Sequence, residues 1–159
     1  KGIVFKDITT LLNDKKVFFE LIEYLKNRYE NKHIDYIVGI DARGFIFGSA
    51  LAYALQCGFV PIRKKGKLPA KTISKSYDLE YGQDTVEIHE DAFRNDKNPN
   101  VVLIDDLLAT GGTAQASCDL LKQLNVNILE ACFIVNLLFI GSNEDRLKDI
   151  DVFSFLDVS

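Results

Sequence analysis

Residues Val101–Ala114 read VVLIDDLLATGGTA, and the order of residue types in that stretch decides the fold. Val101-Val102-Leu103-Ile104 is a fully apolar run of strand length, the composition of a strand buried on both faces. Two carboxylates, Asp105 and Asp106, follow it, and Ala109-Thr110-Gly111-Gly112-Thr113 leads directly into a helical stretch from Ala114. A buried strand, an acidic end, a glycine turn and a helix make one unit of an open α/β sheet, whose ligands bind beyond the carboxyl ends of the strands. Loop amides and a helix N-terminus present positive partial charge there, which suits a phosphate. Gly111 and Gly112 let the backbone turn and come close, while Thr110 and Thr113 add hydroxyl donors. No Lys follows the glycines and no GxGxxG occurs, so neither a P-loop nor a dinucleotide fingerprint explains the loop. Neighbouring residues on a strand point to opposite faces, which places Asp105 and Asp106 poorly for a glycosidase acid/base pair. As acceptor-only groups they suit the vicinal hydroxyls of a sugar. The plainer alternative is an acid pair that merely closes a strand.

The flanking sequence repeats the same alternation of elements. Upstream, Asp14 can cap a helix to about Tyr29, with Val17, Phe18, Leu21, Ile22 and Leu25 on one face. Ile34–Ile40 reads as a strand. Phe45–Ile62 is eighteen residues without a charge, about the minimum for a membrane span, but Ser49, Gln56, Gly58 and Pro61 interrupt it. It reads as a helix ending at Gly58 and a strand from Phe59 to Ile62. Arg63–Tyr77, with five Lys, reads as a loop, and Tyr77–His89 as a hairpin arm turning at Gly82-Gln83-Asp84. Downstream, a helix over Ala114–Leu124, a strand over Ile128–Leu138, a short helix over Asn143–Leu147 and a strand over Val152–Leu156 complete the pattern. The expected architecture is one α/β domain over 1–159: an open, mostly parallel sheet with helices on both faces, plus a hairpin.

Composition bounds the function. The chain has 159 residues, 19 Lys+Arg against 23 Asp+Glu, and is 47% hydrophobic and 26% charged. That length supports a core without disulfide or metal staples, and the proportions exclude a disordered chain or a coiled coil. The net charge of -4 argues against non-specific binding to nucleic acid or an anionic membrane, so neither is an expected partner. Cys57, Cys118 and Cys132 are odd in number, show no CxxC spacing and read as buried thiols. With no Asn-x-Ser/Thr sequon either, a reducing, cytoplasmic location is expected. The sequence holds no Met, which predicts missing N-terminal residues. His33 and His89 are isolated and no metal-ligand box occurs, so no protein metal ligands are expected.

The apolar run, the two acids and ATGGT together resemble the signature of the type I phosphoribosyltransferases. The resemblance extends along the whole chain, most closely to the adenine-using members of that family, through GIVFKDITTLL (2–12), VGIDARGFIFG (38–48), VPIRKKGKLP (60–69) and SYDLEYG (76–82). It implies the type I phosphoribosyltransferase fold, with residues 63–89 forming a flexible lid loop and hairpin. It also implies transfer of the 5-phosphoribosyl group of phosphoribosyl pyrophosphate to N9 of adenine, giving AMP and pyrophosphate, in a cytoplasmic homodimer. Asp105 and Asp106 would hold the ribose hydroxyls, and Ala109, Thr110, Gly111, Gly112 and Thr113 the 5-phosphate. Arg43 would stand on a pyrophosphate loop that in the family often carries a non-proline cis peptide. Arg63, Lys64 and Lys67, part of the main basic cluster, would meet the leaving pyrophosphate, whose charge needs neutralising in the transition state.

The same resemblance makes Glu80 the catalytic proton-transfer group for the purine and Tyr81 a residue that closes the site. Loss of pyrophosphate leaves an oxocarbenium-like ribose from which water must be kept. Taken alone, Glu80 would read as a surface acid. Val4, Phe5, Lys6 and Leu137 would form the adenine site, with Phe5 and Leu137 on opposite faces of the purine; the bland alternative is that both apolar residues are core. Mg2+ would be held mainly through the substrate phosphates and ribose hydroxyls. Two rivals stay open: the same chemistry on another purine, and a regulator that senses phosphoribosyl pyrophosphate without catalysis.

Overall fold

A computed structural model describes residues 8–140 and 143–159. Asp14 caps the first long helix as expected: its side chain accepts hydrogen bonds from the Lys16 and Val17 N–H groups at 3.0 and 3.1 Å. A short helix α1 (Thr9–Leu12) precedes that helix, α2 (Lys15–Tyr29). There follow β1 (Tyr36–Ile40), α3 (Gly44–Leu55), β2 (Gly58–Lys64), β3 (Thr72–Asp78), β4 (Gln83–His89), β5 (Asn100–Leu108), α4 (Gly112–Gln123), β6 (Asn127–Leu137), α5 (Asn143–Arg146) and β7 (Val152–Val158).

The seven strands form one sheet in the order β3-β4-β2-β1-β5-β6-β7. Strands β2, β1, β5, β6 and β7 run parallel, while β4 is antiparallel to β2 and β3 to β4. Side chains alternate across the strands, so each face builds its own core. Val101 and Leu103 of β5 join Val38, Val86, Ile88 and the apolar side of α4 on one face. Val102 and Ile104 join Leu25, Tyr29, Ile37, Phe47 and Leu51 under α2 and α3 on the other. The chain winds outward from β1 to β2 on one side and returns to place β5 on the other side of β1. The sheet therefore has its switch point between β1 and β5, and the crevice beyond their carboxyl ends is where such a fold places a ligand.

Three details depart from the sequence reading. Residues 72–78 are a strand, not part of a loop. They form the sheet's edge with Ser74, Lys75 and Ser76 exposed, and a polar, Lys-bearing edge lacks the apolar pattern that marks inner strands. The hairpin turns over Leu79–Gly82, closed by Leu79 N–H to Gly82 O at 2.9 Å, three residues ahead of the expected turn. Helix α3 stops at Gln56, in the left-handed conformation, two residues before Gly58. Among the described residues, no helix is long and apolar enough to cross a membrane.

Candidate functional site

The switch point holds a cavity of about 210 Å3 lined by Arg43 and by residues 105–114. Strand β5 carries Asp105 and Asp106 to its edge, and Gly111 (φ 83°) turns the chain through the left-handed region into α4. From the other side, β1 ends at Ile40 and α3 begins at Gly44, which sets Arg43 opposite the two acids. A Cβ on Gly44 would stand 2.8 Å from the Ile104 carbonyl oxygen and 3.1 Å from Asp105 Oδ1. Glycine there is what lets the start of α3 lie against the end of β5. The Asp41–Ala42 peptide between β1 and Arg43 is cis.

The two carboxylates differ in their surroundings. Asp106 is 5% exposed and receives Arg43 Nε at 2.7 Å. Among the described residues, no ion pair reaches Asp105. Burial first, and then the neighbouring Asp106 charge, push its carboxyl well above the ordinary range. The Asp106 N–H, 2.8 Å from Asp105 Oδ1, and the more remote Arg43 pull the other way without offsetting this. An acceptor pair that is only half neutralised faces a loop whose backbone N–H groups begin a helix. That combination suits a sugar phosphate, with hydroxyls toward the acids and phosphate toward the loop.

The basic run lies beside this cavity and carries its own set of acids. Arg63 Nε and the Lys64 N–H both approach Asp41 Oδ2, at 3.4 and 3.3 Å. The Lys64 ammonium is held by Asp84 Oδ2 (2.5 Å) and lies 3.1 Å from the Tyr77 hydroxyl. Glu87 clamps the loop that follows, accepting from the Gly66 N–H at 2.9 Å and from Thr72 Oγ1 at 2.7 Å. Those two bonds hold the Glu87 carboxyl below its ordinary range against the effect of burial. Lys65 and Lys67 form no ion pair among the described residues.

The structure thus brings Arg43, Asp105, Asp106, Ala109, Thr110, Gly111, Gly112 and Thr113 into one cavity. It leaves Arg63, Lys64 and Lys67 on its flank, outside the lining. Glu80 and Tyr81 stand exposed at the hairpin turn, Tyr81 at 87%. Leu137 ends β6 and packs on the core under α2 and α3. Val4, Phe5 and Lys6 lie outside the described residues. Sequence reasoning missed Asp41, Tyr77, Asp84 and Glu87, which hold the cations and their loop in place. The signal for two of them was positional: with the turn set at 79–82, Tyr77 and Asp84 become cross-strand partners.

Known proteins match the chain along its length. The family model described as the phosphoribosyl transferase domain matches residues 7–157. The chain is 66% identical to the adenine phosphoribosyltransferase of Helicobacter acinonychis over 137 residues, 86% of this chain and 76% of that protein. Among solved structures it is similar to the adenine phosphoribosyltransferase of Thermoanaerobacter pseudethanolicus, with a TM-score of 0.90 at 46% identity over 99% of this chain and 90% of that one. It is similar also to the Saccharomyces cerevisiae adenine phosphoribosyltransferase complexed with adenine and an imino-altritol bisphosphate. That match has a TM-score of 0.88 at 40% identity, over 98% of this chain and 89% of that one.

Proposed function

The chain belongs to the phosphoribosyltransferase family, and we propose that its switch-point cavity holds the ribose and 5-phosphate of phosphoribosyl pyrophosphate. The activity is transfer of the 5-phosphoribosyl group to adenine, giving AMP and pyrophosphate, a step of purine salvage. The observation that carries the site assignment is the pairing in one cavity of a half-neutralised acid pair with a glycine turn at the N-terminus of α4.

In this reading Asp105 and Asp106 accept hydrogen bonds from the ribose hydroxyls. A diol donating to Asp105 stabilises its charged form, as Arg43 already does for Asp106. Residues Ala109–Thr113 hold the 5-phosphate through backbone N–H groups and hydroxyls. Arg43, Arg63, Lys64 and Lys67 meet the negative charge that grows on the departing pyrophosphate, and their attraction strengthens as the bond to the oxocarbenium-like ribose lengthens. Glu80 handles the purine proton, and Tyr81 helps to exclude water when the hairpin turn folds inward. Leu137, with Val4, Phe5 and Lys6, forms the adenine site.

Among the described residues no group of three or more His, Cys, Asp or Glu is placed to hold a metal ion. The two adjacent carboxylates fit an Mg2+ carried mainly by the substrate's own phosphates and ribose hydroxyls, where it would neutralise pyrophosphate charge. A cytoplasmic homodimer completes the reading. The groove between α2 and α3, about 1350 Å3 and flanked by the exposed Phe19, Ile46 and Tyr53, supports a second copy as its occupant. Sedimentation at monomer mass would sink the dimer.

The deciding assay supplies Mg2+, phosphoribosyl pyrophosphate and one base at a time. AMP should form from adenine, with little turnover of hypoxanthine, guanine or xanthine. Turnover of hypoxanthine but not adenine would overturn the adenine site. A salt-dependent DNA shift with no nucleotide product would favour the regulator instead.

A further inference from the structure

The Tyr77 hydroxyl stands where three segments meet. Lys64 Nζ at the end of β2 lies 3.1 Å from it, Asp84 Oδ2 on β4 3.2 Å, and Thr113 Oγ1 in the first turn of α4 3.0 Å. A phenol has one hydrogen and two lone pairs, so donating to Asp84 while accepting from Lys64 and Thr113 saturates it. Its ring lies against the glycine turn: a Cβ on Gly112 would meet Tyr77 Cδ2 at 3.3 Å. Tyr77 therefore touches the loop without itself lining the cavity.

On the reading that residues 109–113 hold the 5-phosphate, we propose that Tyr77 is a positioning residue for that phosphate, acting through the Thr113 hydroxyl. As the network stands, the Thr113 proton points to Tyr77. A phosphate oxygen is the stronger acceptor, because hydrogen bonds to ionised groups are about twice as strong as neutral ones. When phosphate arrives, the Thr113 proton turns to it, and the Tyr77 proton turns from Asp84 to the vacated lone pair on Thr113 Oγ1. Donation in series from Tyr77 to Thr113 to phosphate polarises each bond and strengthens the last. Asp84 is not stranded by the exchange. It keeps the Lys64 ammonium at 2.5 Å on Oδ2 and the Thr85 N–H at 2.8 Å on Oδ1. The same 3.0 Å contact thus serves in both polarities, without movement of the backbone.

The test is Tyr77→Phe, which keeps the ring against Gly112 and removes only the hydroxyl. AMP carries the 5-phosphate and pyrophosphate lacks it, so their binding, read by calorimetry and as inhibition, separates the two ends of the substrate. Affinity for AMP and the KM for phosphoribosyl pyrophosphate should both worsen by about 3- to 10-fold, the range for one neutral hydrogen bond. Pyrophosphate inhibition and the KM for adenine should stay unchanged. Thr113→Val should weaken AMP at least as much. Thr113→Ser should restore binding, and the Tyr77→Phe/Thr113→Val double variant should be no worse than Thr113→Val alone. Weaker pyrophosphate with unchanged AMP would overturn the proposal, because Tyr77 would then act through Lys64. So would unchanged constants throughout, or a uniform fall in kcat with a lowered Tm. AMP binding needs no turnover, so a wild-type protein that binds AMP but ignores adenine would fail the adenine assignment and still judge Tyr77.

Discussion

Glu130 and Asp105 stand on neighbouring strands of one sheet, β6 and β5, and their surroundings treat a carboxylate in opposite ways. Glu130 receives Arg28 Nε at 2.9 Å and Nη2 at 2.8 Å, together with the Tyr29 hydroxyl at 2.6 Å. The Arg28 guanidinium also lies 3.7 Å over the Phe153 ring. Burial would raise the Glu130 carboxyl, but Arg28 and Tyr29 outweigh it and hold the group below its ordinary range. Around Asp105 and Asp106 the described residues supply one close cation, Arg43, for two carboxylates, and Asp105 is raised. The difference separates a buried charge that the fold itself neutralises from a pair that it neutralises only in part, and the proposed site completes that pair with a ligand's hydroxyls. Perturbed acids cluster at functional sites for this reason, whereas satisfied acids belong to the scaffold.

The sharpest way to break this comparison is Glu130→Ala. It takes the carboxylate acceptor from the Tyr29 hydroxyl, in a fully buried residue whose other side-chain partner is the Cys132 thiol, and leaves Arg28 without its bidentate partner. Urea unfolding should show a loss of about 3 kcal/mol, the low end for a broken buried pair because a third of the Arg28 side chain remains in water. Turnover per folded molecule should not change. Intact stability with lost turnover would mean that Glu130 belongs to the site after all.

Asp105→Asn should do the reverse. It preserves shape and removes a charge that the fold disfavours, so stability at neutral pH should hold or rise. The kcat/KM for phosphoribosyl pyrophosphate should fall on the order of 10- to 100-fold, the range for losing a hydrogen bond to a charged group. A large loss of stability with unchanged kinetics would place Asp105 in the scaffold beside Glu130.

How far the sequence revealed these two regions follows from their chain spacing. The partly neutralised pair was legible because its parts are contiguous: apolar strand, two acids, glycine turn and helix all fall within 101–114. Most of the core strands and helices were legible for the same local reason, an apolar period that fits one element. The neutralised charge was not, since Arg28 and Glu130 are separated by 102 residues and meet only because β6 passes beneath α2. The edge strand β3 was also missed. It borrows its regularity from β4 and carries the Lys, Ser and Thr of a loop, so its order comes from pairing rather than from its own pattern. The acids that anchor the basic run, Asp84 and Glu87, sit on β4 and were hidden by the same misplaced turn.

The smallest effect is a pH signature that sets the two carboxylates against each other. Glu130 is depressed in the folded state, so its contribution to stability is fully present above its unfolded pKa and is lost as pH falls through the lower folded value. Asp105 is raised, so ionising it disfavours the fold. Its penalty is present above the raised folded pKa and fades as pH falls through that value toward the unfolded one. In the wild type, acidification from neutral pH should first relieve Asp105 and only later weaken Glu130, giving a shallow rise in Tm before acid denaturation. In Asp105→Asn the rise should vanish while the acid limb stays. The Tm gap between variant and wild type should therefore be widest at neutral pH and close on acidification. A gap that stays constant with pH would show that Asp105 ionises as easily in the fold as in the unfolded chain, and the contrast with Glu130 would lose its electrostatic basis.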